Sequence, residues 1–154
     1  MKLNRVVSLG IASAVLFGSL GTGAIASSPL QAKPIEAASS LKAETVRASG
    51  TFVTTEQDHP TTGTASIVEK DGKRYLDLSQ AFDTASGPDV QVILYRGGSV
   101  PVNVSEADYI TLAPLQSFSG TQRYEIPADV NVEDFGAVAI WCREFNVTFG
   151  YAAL

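Results

Sequence analysis

From Ser49 onward the chain is a succession of short apolar runs broken by Gly, Pro, Asn and Asp. Breaks at intervals of roughly 8 to 15 residues, with no long helical repeat between them, predict an all-β domain. The expected strands are 50–54, 63–69, 74–78, 90–95, 109–112, 122–126, 137–142 and 145–152. About eight strands in roughly 106 residues suffice for two packed sheets, so the expected architecture is an antiparallel β-sandwich. Asp71-Gly72 fits a tight hairpin turn between the second and third strands. Gly87-Pro88, Gly97-Gly98 and Ser119-Gly120 mark other turns. Asn131 to Phe135 reads as one helical turn, capped by Asn131 and left through Gly136. In 137–142, Val138, Ile140 and Cys142 alternate with Ala137, Ala139 and Trp141. Both faces are therefore apolar and the strand should be central, while periodicity leaves open which face holds the thiol. In the last strand Phe145, Val147, Phe149 and Tyr151 share the face expected to meet the core; Asn146, Thr148, Gly150 and Ala152 take the other.

Upstream the texture differs. Residues 27–48 are rich in Ser, Ala, Pro and Lys and read as a linker. A short helix over 37–47 suits the composition but has no apolar face to anchor it. Ser39-x-x-Lys42 spells a serine-lysine pattern of penicillin-binding enzymes without its companion motifs. Residues 1–26 have a signal-peptide layout: Lys2 and Arg5, an apolar stretch over 6–20, and the small-x-small site Ala24-Ile25-Ala26. Gly10, Gly18, Gly21 and Gly23 make that stretch weak as a membrane span. With no Cys near the site, a lipid anchor is not expected. The mature domain, 49–154, should thus be secreted, periplasmic or on the cell surface, with no stable membrane span.

The 154-residue chain carries a formal charge of −5; loss of Lys2 and Arg5 leaves nine basic residues against 16 acidic ones, a net −7. That balance disfavours nucleic acid and anionic lipid as partners, since both are held by clustered Lys and Arg. Cleavage also removes Met1, the sole methionine, which excludes sites needing an axial Met. One Cys in an exported chain is unusual, because oxidising compartments favour paired cysteines. Cys142 has no intrachain partner, so it is a buried thiol, a bond to another molecule, or a ligand. C-x-x-C and C-x-x-C-H are both absent.

Gly50-Thr51-Phe52, His59, Gly63, Ser86-Gly87-Pro88-Asp89-Val90, Gly120-x-Gln122-x-Tyr124-x-Ile126-Pro127 and the stretch from Val138 through Trp141-Cys142 to Phe149-Gly150 and Leu154 form an ordered set. In that order they resemble the electron-transfer DM-thirteen domain family, whose best-known animal member is the Skeletor extracellular domain. The resemblance covers about 49–154. It implies a secreted or cell-surface β module with a redox role centred on Cys142, as a naked thiol or as ligand to a prosthetic group such as haem. Animal members often carry a haem-binding domain or a membrane cytochrome beside the module, and this chain shows neither.

The residues admit plainer readings as well. A free Cys beside Ile140 and Trp141 suits a small buried hydrophobe, whereas reactivity requires exposure and a nearby cation. Arg143 follows directly, but adjacent strand residues point to opposite faces. The chemical expectation is that Cys142 lies near a sheet end and is accessible. His59, in the polar turn Glu56-Gln57-Asp58-His59-Pro60, is either a solvated loop residue or a ligand converging on Cys142. As a close pair the two would be candidate haem ligands, or His59 would polarise the thiol. Zinc would need added carboxylates. Asp83 and Asp89 are candidates for Ca²⁺ without EF-hand spacing; otherwise Gly87-Pro88-Asp89 is a turn. Arg96, Arg123 and Arg143 are candidates for surface ion pairs. No G-x-S-x-G or triad context supports a hydrolase. Asn103-Val104-Ser105 and Asn146-Val147-Thr148 match glycosylation acceptors. Two functions remain: an exported redox or electron-transfer module using Cys142, with an unknown redox partner, or a non-catalytic extracytoplasmic binding or adhesion module in which Cys142 only packs.

Overall fold

The computed structural model describes residues 43–154. The expected signal peptide, residues 27–42 of the expected linker and Ser39-x-x-Lys42 lie outside the described residues. The domain is all-β, as expected: β1 (Thr45–Thr54), β2 (Thr61–Thr62), β3 (Thr64–Lys70), β4 (Lys73–Leu78), β5 (Asp83–Thr84), β6 (Val90–Tyr95), β7 (Tyr109–Pro114), β8 (Gln122–Ile126), β9 (Ala137–Cys142) and β10 (Val147–Ala153). Eight of these form one antiparallel sheet in the order β7-β6-β9-β10-β1-β3-β4-β8, folded over as a sandwich that nearly closes into a barrel. β2 and β5 pair separately.

The fold turns on β1. Its residues from Thr45 to Thr51 pair with β3, and Phe52 to Thr54 pair with β10, so one strand belongs to both layers. At the crossover a Cβ on Gly50 would sit 1.8 Å from the Ala153 carbonyl oxygen, and only glycine allows that approach. β3 and β4 are joined through Asp71 and Gly72, both at positive φ, as the hairpin signal predicted. The Asn131 turn also forms, as a 3-10 turn over Val132–Asp134 in which the Asn131 side chain accepts from the Glu133 N–H.

Two apolar layers result. Phe52, Ile67, Leu76, Leu78, Val92, Leu94, Tyr124, Ile140, Cys142 and Phe149 fill the space between the sheets. Ile93, Val100, Val104, Ala137, Ala139 and Trp141 form a second layer outside β6 and β9, covered by the segment that follows β6. All six residues of β9 are buried, as its double apolar pattern demanded. Among the described residues no helix is long and apolar enough to cross a membrane.

Three expectations change. β1 starts at Thr45, inside the stretch expected as linker, and its Thr45 to Arg47 are extended and not helical. Pairing of Val46 with Val68, and Arg123 and Lys70 donating to Glu44, supply the order that the local sequence lacks. Phe145 does not face the core: it lies in the turn between β9 and β10 and is 64% exposed. A bulge between Thr148 and Gly150 then reverses the alternation, so Phe149 and Ala152 enter the inner core while Tyr151 packs on the outer layer. Finally, β2 and β5 were not foreseen, since two residues are too few to show a period; a 2.8 Å hydrogen bond joins the Thr61 and Thr84 hydroxyls between them.

Candidate functional site

Cys142 is the last residue of β9, as expected for a sheet end, but it is not accessible. Its exposure is 0%, and its side chain belongs to the inner layer with Val138 and Ile140. Val90 of β6 and Val147 of β10 are its cross-strand neighbours. No described group hydrogen-bonds its sulfur, and the expectation of an exposed thiol is therefore corrected. The reason is register: on the inner face the partners at this end are both valines, which close over a small side chain.

His59 approaches the same end from the turn after β1. That turn is tied to β10 because the Thr55 N–H donates to the Phe149 carbonyl at 2.9 Å. The imidazole lies flat on the Phe149 ring, with centroids 4.3 Å apart and planes 10° from parallel. Its Nδ1 meets the Glu56 carboxylate, which as an ionised group only accepts, so the ring proton sits on Nδ1. Nε2 is left as the nitrogen free of that contact, the arrangement by which a carboxylate fixes a histidine's tautomer. The His59 hydrogen bond also holds the Glu56 carboxyl below its ordinary range.

Phe149 carries the imidazole and belongs to the same inner layer as Cys142. A Cβ on Gly87 would fall 2.9 Å from Val90 Cγ2 and 3.2 Å from Phe149 Cζ, so Gly87 leaves the room into which that ring packs. His59 and Cys142 are thus brought to one end of the sandwich, on Phe149 and beside Val90 respectively, with no hydrogen bond between them. The thiol foreseen as one haem ligand of a Cys142–His59 pair is buried, and no hydrogen bond or ring contact joins the two residues. Haem does not fit Cys142 as folded, because the sulfur is enclosed by apolar side chains. The groove of about 620 Å³ near the start of β9, lined by Arg47, Ile67, Phe135 and Leu154 among others, contains neither residue. It lies at the opposite end of β9, roughly 17 Å away at the rise of a strand.

The remaining candidates have structural employment. Asp89 accepts from Arg143 Nε at 2.6 Å and from Gln91 Nε2, and the Arg143 contact lowers its carboxyl pKa. Its oxygens thus already face donors, and Asp83 is part of β5. Among the described residues no cluster of three or more metal-ligating side chains occurs. Arg143 makes an ion pair, as foreseen, and so does Arg123, which joins Asp77 to Glu44 and drives the Glu44 pKa down to about 2. Arg96 instead lies over the Phe135 ring.

Sequence reasoning named Asn146 only as a glycosylation candidate and missed its structural role as the most heavily used polar side chain of this end. At φ +51° its Oδ1 accepts from Trp141 Nε1 at 2.9 Å and from the Val104 N–H at 3.1 Å, while its Nδ2 donates to the Val104 carbonyl. Asn103 donates to the Asn146 carbonyl at 2.6 Å. Both glycosylation candidates therefore have their amide nitrogens engaged in the fold. The residue type tolerates the left-handed conformation, but Asn146 falls inside the expected strand 145–152, whereas the structure puts it in the turn.

Residues 51–154 match the family described as Electron transfer DM13. No curated protein and no solved structure matches the chain.

Proposed function

We propose, from the premise that this chain belongs to the electron transfer DM13 family, that it is an exported redox module in which Cys142 reacts as a thiol when the end of the β9–β10 hairpin opens. The observation that carries the reading is convergence: His59, Gly87, Val90, Phe149 and Cys142, all within the set that resembles the family, meet at one end of the sandwich. Export is supported by the Lys2 and Arg5 region, the apolar stretch and Ala24-Ile25-Ala26.

A closed thiol among valines is out of reach of a partner's disulfide and stays reduced. Strand ends open locally at less cost than global unfolding, and the turn after Cys142 is exposed at Arg143, Glu144 and Phe145. On opening, the S–H proton passes to solvent and the thiolate attacks one sulfur of a partner's disulfide. A mixed disulfide forms and the other partner sulfur leaves as a thiolate, so the partner is reduced as Cys142 is oxidised. His59 acts on this step through packing: stacked on Phe149, it helps hold the closed state. No step is assigned to haem.

The test is the rate at which a disulfide reagent labels native protein, measured beside the global unfolding rate. Labelling should be much slower than for a free thiol yet faster than unfolding, and should quicken in His59→Ala. Labelling only at the unfolding rate would overturn the reading and leave Cys142 as a packing residue.

A further inference from the structure

The face of β9 opposite the sulfur carries a second group of oxidisable side chains. Trp141, the only tryptophan, is buried in the outer layer, and the Tyr109 ring lies 5.0 Å from it at 52°. Tyr95 and Tyr151 pack against the same layer. Three of the five tyrosines and the single tryptophan thus share one side of one sheet. Trp141 is enclosed, while Tyr109, the first residue of edge strand β7, is half-buried and reaches solvent.

We propose that Trp141 and Tyr109 form a one-electron relay in which an external outer-sphere donor delivers an electron at Tyr109 and Tyr109 passes it to oxidised Trp141. The inference rests on the electron-transfer reading of the domain and does not route through Cys142. The chemistry balances in three steps. A high-potential metal complex, acting as an outer-sphere one-electron oxidant across the covering segment and without touching the ring, takes an electron from Trp141, is itself reduced by one electron, and leaves a radical cation. Its N–H remains donated to Asn146 Oδ1, an amide oxygen too weakly basic to remove the proton. Tyr109 then gives Trp141 an electron, its O–H bond breaks, the proton goes to solvent, and a tyrosyl radical remains. Last, the donor's electron and a solvent proton restore the phenol. The net result is one electron moved from donor to oxidant.

The surroundings suit these roles. Burial, with the Glu106 charge adding to it, keeps the Tyr109 phenol protonated in the resting state, so its oxidation releases a proton. Trp141 is shielded from bond-forming contact with solutes by the segment that Asn146 pins at Val104, which leaves only electron transfer across the cover. The half-exposed tyrosine is therefore the port and the enclosed indole the inner station.

Because there is one tryptophan, laser photoionisation at wavelengths tyrosine does not absorb creates the hole at Trp141 alone. In wild-type protein the broad visible band of the tryptophan radical should decay with first-order kinetics, independent of protein concentration, as the sharper near-ultraviolet tyrosyl band grows. Tyr109→Phe should slow that decay at least about tenfold, equivalent to about 1.4 kcal/mol of barrier. Tyr95→Phe and Tyr151→Phe should leave it nearly unchanged. Absence of a growing tyrosyl band in wild-type protein, or an unaltered rate in folded Tyr109→Phe, would overturn the relay. The wild-type measurement decides even should that variant fail to fold. Repeating it in Cys142→Ala separates the two readings: the relay should persist without the sulfur, and its loss there would overturn the independent route.

Discussion

The two faces of β9 solve different problems with the same backbone. Inward, Val138, Ile140 and Cys142 meet only apolar neighbours, and their stability is a matter of volume and contact. Outward, Ala137, Ala139 and Trp141 lie under an irregular segment that must be told where to sit. Asn146 does so with three side-chain hydrogen bonds, and the Thr148 N–H adds a fourth anchor to the Val102 carbonyl at 2.7 Å. A face packed against another sheet is specified by shape, whereas one covered by a loop needs polar attachment as well.

This contrast is open to attack from both sides. Phe149→Ala, on the inner side, should have the largest effect, lowering unfolding free energy by about 3–5 kcal/mol as an aromatic core truncation does. Urea denaturation measures it, and a loss within experimental error would contradict the inner packing. On the outer side, Asn146→Gly keeps the left-handed backbone available and removes the side-chain bonds. It should cost about 2–3 kcal/mol, because the Trp141 and Val104 groups lose their partner. The Trp141 emission should shift to the red as the cover loosens; unchanged emission would mean that the segment is held without Asn146.

Smaller differences sharpen the same contrast. Cys142→Ser should be less stable than Cys142→Ala by about 1–3 kcal/mol, since a hydroxyl placed on the apolar face finds no hydrogen-bond partner. Equal stability of the two variants, read from thermal melts, would show polar company at the sulfur. The smallest effect comes from surface carboxylates. Glu44 is lowered from 4.5 to about 2 by Arg123 and Lys70, and Asp89 is lowered by Arg143. A depressed folded-state pKa gives stability that is present above the unfolded value and lost as pH falls through the folded one. The urea midpoint should therefore decline from about pH 4.5 toward pH 2, with a shallower slope in high salt, where exposed ion pairs are screened. A midpoint that rises over this interval would reverse the assignment.

What the sequence disclosed follows the same division. The limits of β6, β8 and β9 are legible because a run of apolar or alternating residues both makes the strand and ends with it. The first part of β1 is not, because Thr45 to Ala48 owe their extended state to pairing with β3. Nor is the reversal in β10, since a bulge depends on what the partner strand presents. At the site, Cys142 and His59 stand out by being single residues of their type. That Phe149 lies beneath the imidazole, that valines enclose the thiol, and that Asn146 reaches Val104 across 42 residues are consequences of chain return. No local pattern encodes such contacts.

The order of the large sheet also bears on how the protein survives at high concentration. Its two end strands, β7 and β8, are brought near one another: the Gln116 N–H just beyond β7 donates to the Tyr124 hydroxyl on β8 at 3.0 Å, and Gln116 Nε2 donates to the Arg123 carbonyl. Free strand edges are templates on which foreign chains can add and fibrils can start. Here each edge obstructs the approach to the other, so the near closure that shapes the core also guards against self-association through the sheet.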